Sequence, residues 1–297
     1  MTETMSIRLG ANPIIWSNDD LRELGAETPL ETCLSQARQI GFEGMELGHK
    51  FPRDPAQLKG IFARFGLACV SGWYSAGLLE REARAELARL RPHLDLLKAV
   101  GSSVLVFADV TGAIHADLHR PLSQRPRMKA GAWREFGRRL TEVAAATAAE
   151  GVRLAYHHHV GTIVQSEEDI DALMEATGSE VGLLLDTGHA TFAGADPASL
   201  ARRYDSRICH VHAKDVRSAV QKQALSEDWS FLRAVVAGVF TVPGDGSVTF
   251  DRLFRELRNY AGWLVLEAEQ DPKTADPMTY ASLGYRNLQR LVAQSMP

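Results

Sequence analysis

Cysteine is scarce in this sequence, and its few thiols are not spaced to act together. The three cysteines, Cys33, Cys69 and Cys209, lie in apolar stretches, and none belongs to a Cys-x-x-Cys pair. An odd number of isolated thiols does not build a disulfide framework, and a structural zinc site would lack its usual thiolate ligands. We therefore expect reduced, buried cysteines, and any metal ligands must be histidine or carboxylate side chains.

Long apolar runs and an excess of positive charge are also missing. No apolar segment reaches the roughly 18–20 residues that cross a membrane, and the N-terminus has no basic-then-apolar signal pattern. The formal net charge is −4, which argues against binding of nucleic acid through phosphate neutralisation. We expect a cytoplasmic protein with no membrane or nucleic-acid partner, and a homo-oligomer is compatible with the sequence.

Nucleotide-binding motifs are absent too. No G-x-G-x-x-G follows the first predicted strand and no Walker A sequence occurs, which disfavours a doubly wound open sheet. Instead, short apolar runs alternate with amphipathic helical patterns, and glycine repeatedly marks the helix end before the next strand. Eight strands are predicted, at residues 7–11, 44–47, 67–73, 104–107, the start of 152–161, 181–186, 208–212 and 263–267.

Repeated strand–helix units of this kind predict a parallel sheet covered on both faces by helices. Eight units in 297 residues predict one α/β domain over residues 1–297, a (β/α)₈ TIM barrel. Within the pattern, Pro92 predicts a kink or a restart in the helical region 79–100, because proline removes a helical hydrogen bond.

Residues 216–247 do not follow the regular pattern. They contain a short predicted helix near residues 228–236 and the turn Pro-Gly-Asp-Gly at 243–246, and are otherwise irregular. A stretch this long between regular elements is usually a functional loop. We predict that residues 216–247 form a lid over the barrel mouth.

Metal-binding residue types gather at the ends of four predicted strands, in VRLAYHHHVG, GLLLDTGH, ICHVHAKD and WLVLEAEQD. The active site of a (β/α)₈ barrel lies at the C-terminal ends of its strands, so these side chains are expected to converge. Because side chains alternate along a strand, His157 and His159 should face the site and His158 the other way. Imidazole and carboxylate ligands together suit Mn²⁺, Co²⁺, Fe²⁺ or Zn²⁺.

Several of these candidates also have a structural interpretation. Glu46 could form an ion pair with Lys50, and His189 could cap the helix that follows it. His210 shares a face with His212, and we prefer His212 as the ligand because it lies nearer the strand end. Two further alternatives are that Asp215 is a helix N-cap and that residues 18–20 form a simple turn.

Seven stretches together resemble the inosose dehydratases, within the xylose-isomerase-like barrel superfamily. They span nearly the whole chain: ANPIIWSNDD, GFEGMELGHKFP, YHHHVGTIVQ, LLLDTGHATFAGADP, HVHAKDVR, FTVPGDGSVTF and GWLVLEAEQDP. The resemblance implies a metal-dependent hydro-lyase of inositol catabolism. Such an enzyme removes water from the polyol ketone 2-keto-myo-inositol (scyllo-inosose) and forms a trihydroxycyclohexane-1,2-dione. Mn²⁺ or Co²⁺ is the expected metal, ahead of Zn²⁺, Fe²⁺ or Mg²⁺.

The resemblance also implies a ligand set, with one departure. The superfamily usually takes glutamate, aspartate, histidine and glutamate from strands five to eight, and the last three correspond to Asp186, His212 and Glu267. At the first position this chain has His157, a neutral imidazole in place of a carboxylate. That exchange removes one negative charge and would shift the metal preference, unless the metal has moved.

Roles for the remaining residues follow from the chemistry that the resemblance implies. A base must take a proton next to the ketone, and His159, Glu46 and Lys214 are candidates, with base and acid left unassigned. The expected substrate contacts are Asn12, Trp16, Asn18, Asp19, Gln165, His189 and Glu269, with Trp16 against the apolar face of the ring.

Three other functions are weighed against a dehydratase. A metal-dependent sugar or cyclitol isomerase or epimerase would share the fold and the metal, and it is the main alternative. An endonuclease-IV-like nuclease would need a basic groove, which the net charge of −4 disfavours. A sugar-binding module without activity does not account for so many acids and histidines at strand ends.

Overall fold

A closed barrel of eight parallel strands forms the centre of the molecule in a computed structural model that describes residues 7–295. The described residues contain ten strands, and all except β8 and β9 belong to the barrel. They are β1 (Ile7–Ala11), β2 (Gly44–Leu47), β3 (Ala68–Ala76), β4 (Val104–Asp109), β5 (Arg153–His157), β6 (Gly182–Asp186), β7 (Ile208–Ala213), β8 (Asp215–Val216), β9 (Phe240–Thr241) and β10 (Gly262–Leu266). The barrel order is β1-β10-β7-β6-β5-β4-β3-β2, while β8 and β9 form a separate antiparallel ribbon. This topology confirms the predicted (β/α)₈ barrel.

Helices surround the barrel and link its strands. They are α1 (Leu30–Ile40), α2 (Pro55–Phe65), α3 (Ala83–Ala99), α4 (Trp133–Ala149), α5 (Glu167–Ala176), α6 (Thr187–Phe192), α7 (Pro197–Tyr204), α8 (Ser218–Ser226), α9 (Phe231–Val236), α10 (Phe250–Glu256) and α11 (Pro277–Ser295). Local sequence determines several helix ends. Asp54 caps α2, Pro55 opens it, and Gly66 ends it with a left-handed φ of 63°. None of the helices in residues 7–295 is both long and apolar enough to span a membrane.

The helix around Pro92 excludes one of the two predicted alternatives, a restart of the helix. α3 is continuous from Ala83 to Ala99 with Pro92 inside it, so the helix does not restart there. The physical reason is packing, because Leu90, Leu94 and Leu97 form one buried face on either side of the proline. Burial of that face outweighs the hydrogen bond that proline removes.

Residues 216–247 are more ordered in structure than their irregular pattern predicted. They contain α8, α9 and most of the β8–β9 ribbon, and we call them the cover segment. Its apolar side chains form a second hydrophobic cluster, which includes Phe231, Phe240, Val160 and Phe192. The cluster joins the cover segment to the loop after β5 and to α6, so the cover segment packs beside the barrel mouth. Its opening and closing as a lid stay a prediction.

Asp215 fixes the position of the cover segment's C-terminal turn. Its carboxylate accepts backbone hydrogen bonds from Val216, Gly244, Gly246 and Val248, at distances of 2.8–3.0 Å. A side chain at position 246 would collide with this carboxylate, since a Cβ there would lie 2.3 Å from Oδ1. Asp215 therefore holds this turn in place, and we call it the clamp. It is not the N-cap of α8, which is Arg217.

Candidate metal centre and active site

Four buried side chains from neighbouring strands meet at the mouth of the barrel. His157 ends β5, Asp186 ends β6, His212 lies in β7, and Glu267 follows β10. Strand register brings them together, because Asp186 pairs with His212, which in turn lies beside Val265 of β10. One potential ligand atom from each of the four lies within 4.8 Å of all the others. These are the four residues that the resemblance implied as metal ligands.

The donor atoms of this group fit a divalent cation. His157 Nδ1 lies 2.7 Å from the His158 carbonyl oxygen and donates to it, which leaves the lone pair of Nε2 free, 3.6 Å from Asp186 Oδ2. Asp186 Oδ2 and His212 Nδ1 are both buried and neither makes a well-aligned hydrogen bond, although His212 Nδ1 lies 2.8 Å from Glu267 Oε2. Leaving such atoms unsatisfied costs roughly 1–3 kcal/mol each, whereas a metal ion between them would satisfy both.

Glu46 lies behind the metal group and orients His212. Its carboxylate accepts hydrogen bonds from Asn12 (2.7 Å), Ser71 (2.5 Å) and His210 (2.8 Å), and its Oε2 lies 3.1 Å from His212 Nε2. A carboxylate on one ring nitrogen directs the other nitrogen, Nδ1, towards the metal position. Glu46 thus supports the metal group by holding His212 in position.

The surroundings of Glu46 argue against the expected role as a base. Burial alone would raise its pKa, but the positive charge that His212 carries when no metal is bound and the hydrogen bonds from His210 and His212 outweigh burial and hold the pKa well below its ordinary value. A carboxylate that stays ionised and fully hydrogen-bonded is a poor proton acceptor. The alternative ion pair with Lys50 is wrong, because Lys50 donates to the backbone carbonyls of Gly25 and Ala26.

Lys214 lies fully buried on the other side of the metal group. Its Nζ is 2.6 Å from Glu267 Oε1, 3.2 Å from Glu269 Oε2 and 3.5 Å from Asp186 Oδ2. Burial would lower its pKa, but the three carboxylates outweigh burial and raise it. Lys214 is therefore a permanent ammonium in this environment, which argues against its expected role as a base.

His159 has the properties of a proton acceptor. Its Nδ1 donates to the Val160 carbonyl at 2.8 Å, so Nε2 keeps its lone pair. Burial lowers the pKa of His159 well below its usual value, so the ring is neutral near pH 7. His189 packs against it with ring centroids 3.8 Å apart and the two rings tilted by 41°. The amide of His189 itself donates to Asp186, which caps α6, so His189 is not the cap.

A cavity lies over these groups and is open to the barrel mouth; its empty space, counting the part open to solvent, is about 610 Å³. Glu269 lines it, and burial raises the pKa of this carboxyl to about 8. The cavity therefore presents a neutral imidazole and a carboxyl group that keeps its proton near neutral pH. Eight of the predicted site residues line the cavity: Asn12, Asp19, Glu46, His157, His159, His212, Glu267 and Glu269.

Other predicted residues lie outside the cavity wall. Trp16 is fully buried in the main hydrophobic cluster and donates from Nε1 to Gln36 at 2.6 Å, so the expected contact with a substrate ring is wrong. Trp16 is the C-cap of the 3-10 turn Pro13–Ile15. Asn18 accepts from the amides of the turn that carries Asp19, and Gln165 accepts from Gly161. Asp186, His189 and Lys214 lie behind the wall.

Several site residues were not predicted from the sequence. Trp73 supplies the aromatic surface, with its ring centroid 5.4 Å from that of His157 and 5.8 Å from that of His159. It occurs near the end of β3, so applying the strand-end rule to the third strand would have found it. Asp20 and His115 come from loops after β1 and β4, and no local pattern marks them.

Comparison with known proteins identifies the family. A family model described as xylose isomerase-like TIM barrel matches residues 34–290. The chain belongs to this family. It is 49% identical over 291 residues to the rhizopine catabolism protein MocC of Rhizobium meliloti, covering 97% of this chain and 90% of that protein. It is also 40% identical to an inosose dehydratase of Geobacillus thermodenitrificans over 285 residues, 95% of this chain and 96% of that one.

A solved structure within the same fold contains a metal. The structure of the IOLI protein with a binding zinc atom superposes with a TM-score of 0.67, at 13% identity, over 97% of this chain and 99% of that one. At that identity the likeness shows the fold alone. The comparisons confirm the family resemblance, and the fit of a divalent cation to this chain rests on its own buried donor atoms.

Proposed function

We propose that this protein is a hydro-lyase that removes water from 2-keto-myo-inositol and forms a trihydroxycyclohexane-1,2-dione. The observation that carries the proposal is a buried metal-type group, His157, Asp186, His212 and Glu267, next to a cavity that also presents a neutral His159 and the carboxyl of Glu269. Full-length relatives at about 40% identity carry the name inosose dehydratase, which supports the same reaction.

The reaction requires a base, an acid and stabilisation of an enolate. A divalent metal held by the four ligands would supply Lewis-acid stabilisation of the substrate's oxygen atoms. Two imidazoles with two carboxylates suit Mn²⁺ or Co²⁺, with Zn²⁺ and Fe²⁺ next, whereas Mg²⁺ prefers oxygen ligands. We therefore propose Mn²⁺ or Co²⁺.

The protein's own groups would carry the proton transfers. His159 Nε2 takes the proton from the carbon beside the ketone, and the electron pair of that C–H bond forms the enolate. The bond between the β-carbon and its hydroxyl then breaks, and Glu269 gives its proton to that hydroxyl, which leaves as water. The proton on His159 restores Glu269 between turnovers, so protons balance over the cycle.

Residues at the mouth would hold the ring. Asp19 and Asp20 present carboxylates and His115 an imidazole to the cavity, which suits the hydroxyl groups of a cyclic polyol. The position of Asp19 is fixed by His49, whose Nδ1 lies 2.6 Å from Oδ1. Trp73 provides the apolar surface for the C–H face of the ring. Cytoplasmic location, oligomeric state and the lack of nucleic-acid partners stay predictions from the sequence.

The test is a diketone absorbance assay on protein purified without a histidine tag, with its metal content measured. We expect turnover of 2-keto-myo-inositol to disappear after chelation and to return with Mn²⁺ or Co²⁺. Asp186→Asn and Glu267→Gln should each lose the metal and the activity while the fold is retained, because these carboxylates serve a cation rather than the core. Exposed Glu43→Gln is the control.

Two results would count against this function. Full turnover in chelated protein, or unchanged metal occupancy in both variants, would contradict the metal assignment. Formation of an epimer without the diketone would instead favour the isomerase or epimerase alternative.

A further inference from the structure

The ammonium of Lys214 is surrounded by the atoms that usually surround a metal ion. Beyond its contacts with Glu267, Glu269 and Asp186, its Nζ lies 3.0 Å from His189 Nε2. Lysine is rarely buried this completely, and this one is 0% exposed. Three carboxylates and an imidazole therefore share one buried cation that belongs to the chain itself.

Two of these partners belong to a second metal-type group. His159, His189 and Glu269 place one potential ligand atom each within 4.8 Å of one another. The ammonium contacts His189 and Glu269 of this second group and Glu267 and Asp186 of the first. Lys214 Nζ thus lies between the two groups, at the place where a second ion would share ligands with the first.

The fold is built to hold the lysine there. Its stem runs against Gly188, where a Cβ would lie only 2.5 Å from the Cγ and Cδ atoms of Lys214. Thr187 Oγ1 bonds both the amide and the carbonyl of Lys214, at 2.9 Å and 2.6 Å. The ring of Phe240, from the cover segment, lies 4.8 Å from Nζ. The ammonium is therefore fixed on several sides.

The charges are balanced by this arrangement. One divalent ion in the first group and one ammonium carry three positive charges, which equals the charge of ionised Asp186, Glu267 and Glu46 while Glu269 keeps its proton. A second divalent ion beside the ammonium would leave buried positive charge without a partner, which is costly at low dielectric. Without the ammonium, buried negative charge would be left over instead.

We propose that the Lys214 ammonium takes the place of a second divalent cation, and that its removal opens a second metal site with His159, His189 and Glu269 as ligands. This inference rests on the metal site proposed above, and not on the identity of the substrate. It has a consequence for chemistry. Coordination to a second metal would occupy the lone pair of His159, so the lysine keeps His159 available as a base.

The test compares metal stoichiometry in Lys214→Met, which keeps the approximate side-chain volume but lacks the charge. Metal-free proteins are titrated with Co²⁺ and Mn²⁺, followed by elemental analysis, visible absorption and electron paramagnetic resonance. We expect about one ion per chain in the wild type and about two in Lys214→Met, with the spin coupling of two Mn²⁺ ions a few ångströms apart. The double variant Lys214→Met/His189→Ala should return to about one ion.

Each outcome bears on the inference separately from the proposed function. If Lys214→Met folds and binds a single ion, the inference is overturned and the first metal site stays in place. A wild type that binds two ions has the same consequence. A wild type that binds no ion removes the first site and the inference with it. Lys214→Gln, which keeps a polar group among the carboxylates, is the second variant in case Lys214→Met does not fold, and it should also bind about two ions.

Discussion

Three consecutive histidines occupy three different environments in this protein. His157 directs Nε2 to the metal group and His159 directs Nε2 to the cavity, because each donates from Nδ1 to the carbonyl of the next residue. His158 lies on the other side of the chain, where its Nε2 accepts the Asp186 amide hydrogen bond at 3.3 Å. Because side chains alternate along a strand, we expect a different role for each of the three rings.

Alanine substitutions should separate these tasks. His157→Ala should weaken metal binding, because the ring supplies a ligand. His159→Ala should lower kcat by roughly 10²–10⁴-fold with little change in metal affinity, as expected for loss of a proton-transfer group. His158→Ala should keep turnover and lose about 1–3 kcal/mol of unfolding free energy, because a buried hydrogen bond is lost. Metal titration, steady-state kinetics and thermal melting measure the three effects.

The three variants control for one another, since all remove the same side chain within one segment. If His158→Ala damages turnover most, the assignment of tasks is wrong, and the metal ligands must be reassigned from β5 onwards.

At the scale of elements, the cover segment depends on one clamp and one apolar contact. Asp215 holds its C-terminal turn through backbone amides. Phe231 packs against His159, the proposed base, with the two ring centroids 5.1 Å apart. The cover segment therefore contributes to the burial that keeps His159 neutral, and in the proposed reaction it would shield the enolate from water.

Removing the clamp should loosen the cover segment before it unfolds the barrel. In Asp215→Ala we expect faster protease cleavage within residues 216–247 and lower kcat, with a melting temperature close to that of the wild type. A substrate analogue should slow cleavage in the wild type if the cover segment closes as a lid. Limited proteolysis with mass spectrometry gives the cleavage sites.

The control for the clamp is Asp251→Ala, an exposed carboxylate just beyond the cover segment. Equal cleavage in Asp215→Ala and the control would contradict the clamp, and equal cleavage with and without the analogue would contradict the lid.

At the scale of the whole molecule, the barrel buries an unusual number of neutral histidines. Burial lowers the pKa of His157, His159, His189 and His210, and it lowers the pKa of His158 to about 4. The unfolded chain takes up protons on these rings below about pH 6.5, whereas the folded protein does not. The free energy of unfolding should therefore be largest above pH 6.5 and fall as the pH is lowered.

His158→Gln isolates one of these contributions. Glutamine can keep the acceptor for the Asp186 amide without titrating, so the variant should lose less stability than the wild type between about pH 6.5 and pH 4. The difference should grow to about 3 kcal/mol at the acid end, from about 1.4 kcal/mol per pH unit. Denaturant unfolding in the presence of a chelator measures it. Above pH 7 the two curves should run parallel, and equal slopes below pH 6.5 would contradict the argument.

The sequence alone predicted the barrel and the convergence of its strand ends, because apolar runs and side-chain alternation are local properties. Those properties placed His157, Asp186, His212 and Glu267 among the converging candidates, and the family resemblance then singled them out as a ligand set. The role of Glu46 was not local, since it depends on Ser71 and His210 from other strands. The prediction for Trp16 was wrong for the same reason, because Gln36, which accepts the hydrogen bond from its Nε1, lies in α1.

The pairing of β1 with β10 joins the two ends of the chain, with Ile7 opposite Gly262. All four proposed metal ligands lie in the second half of the sequence, and Glu267 comes after the strand that closes the ring. A chain emerging from the ribosome therefore presents β1–β4 long before it has any ligand. Capture of the proposed metal by all four ligands must follow synthesis of Glu267, and a nascent chain released before Gly262 has neither a closed barrel nor a complete set of ligands.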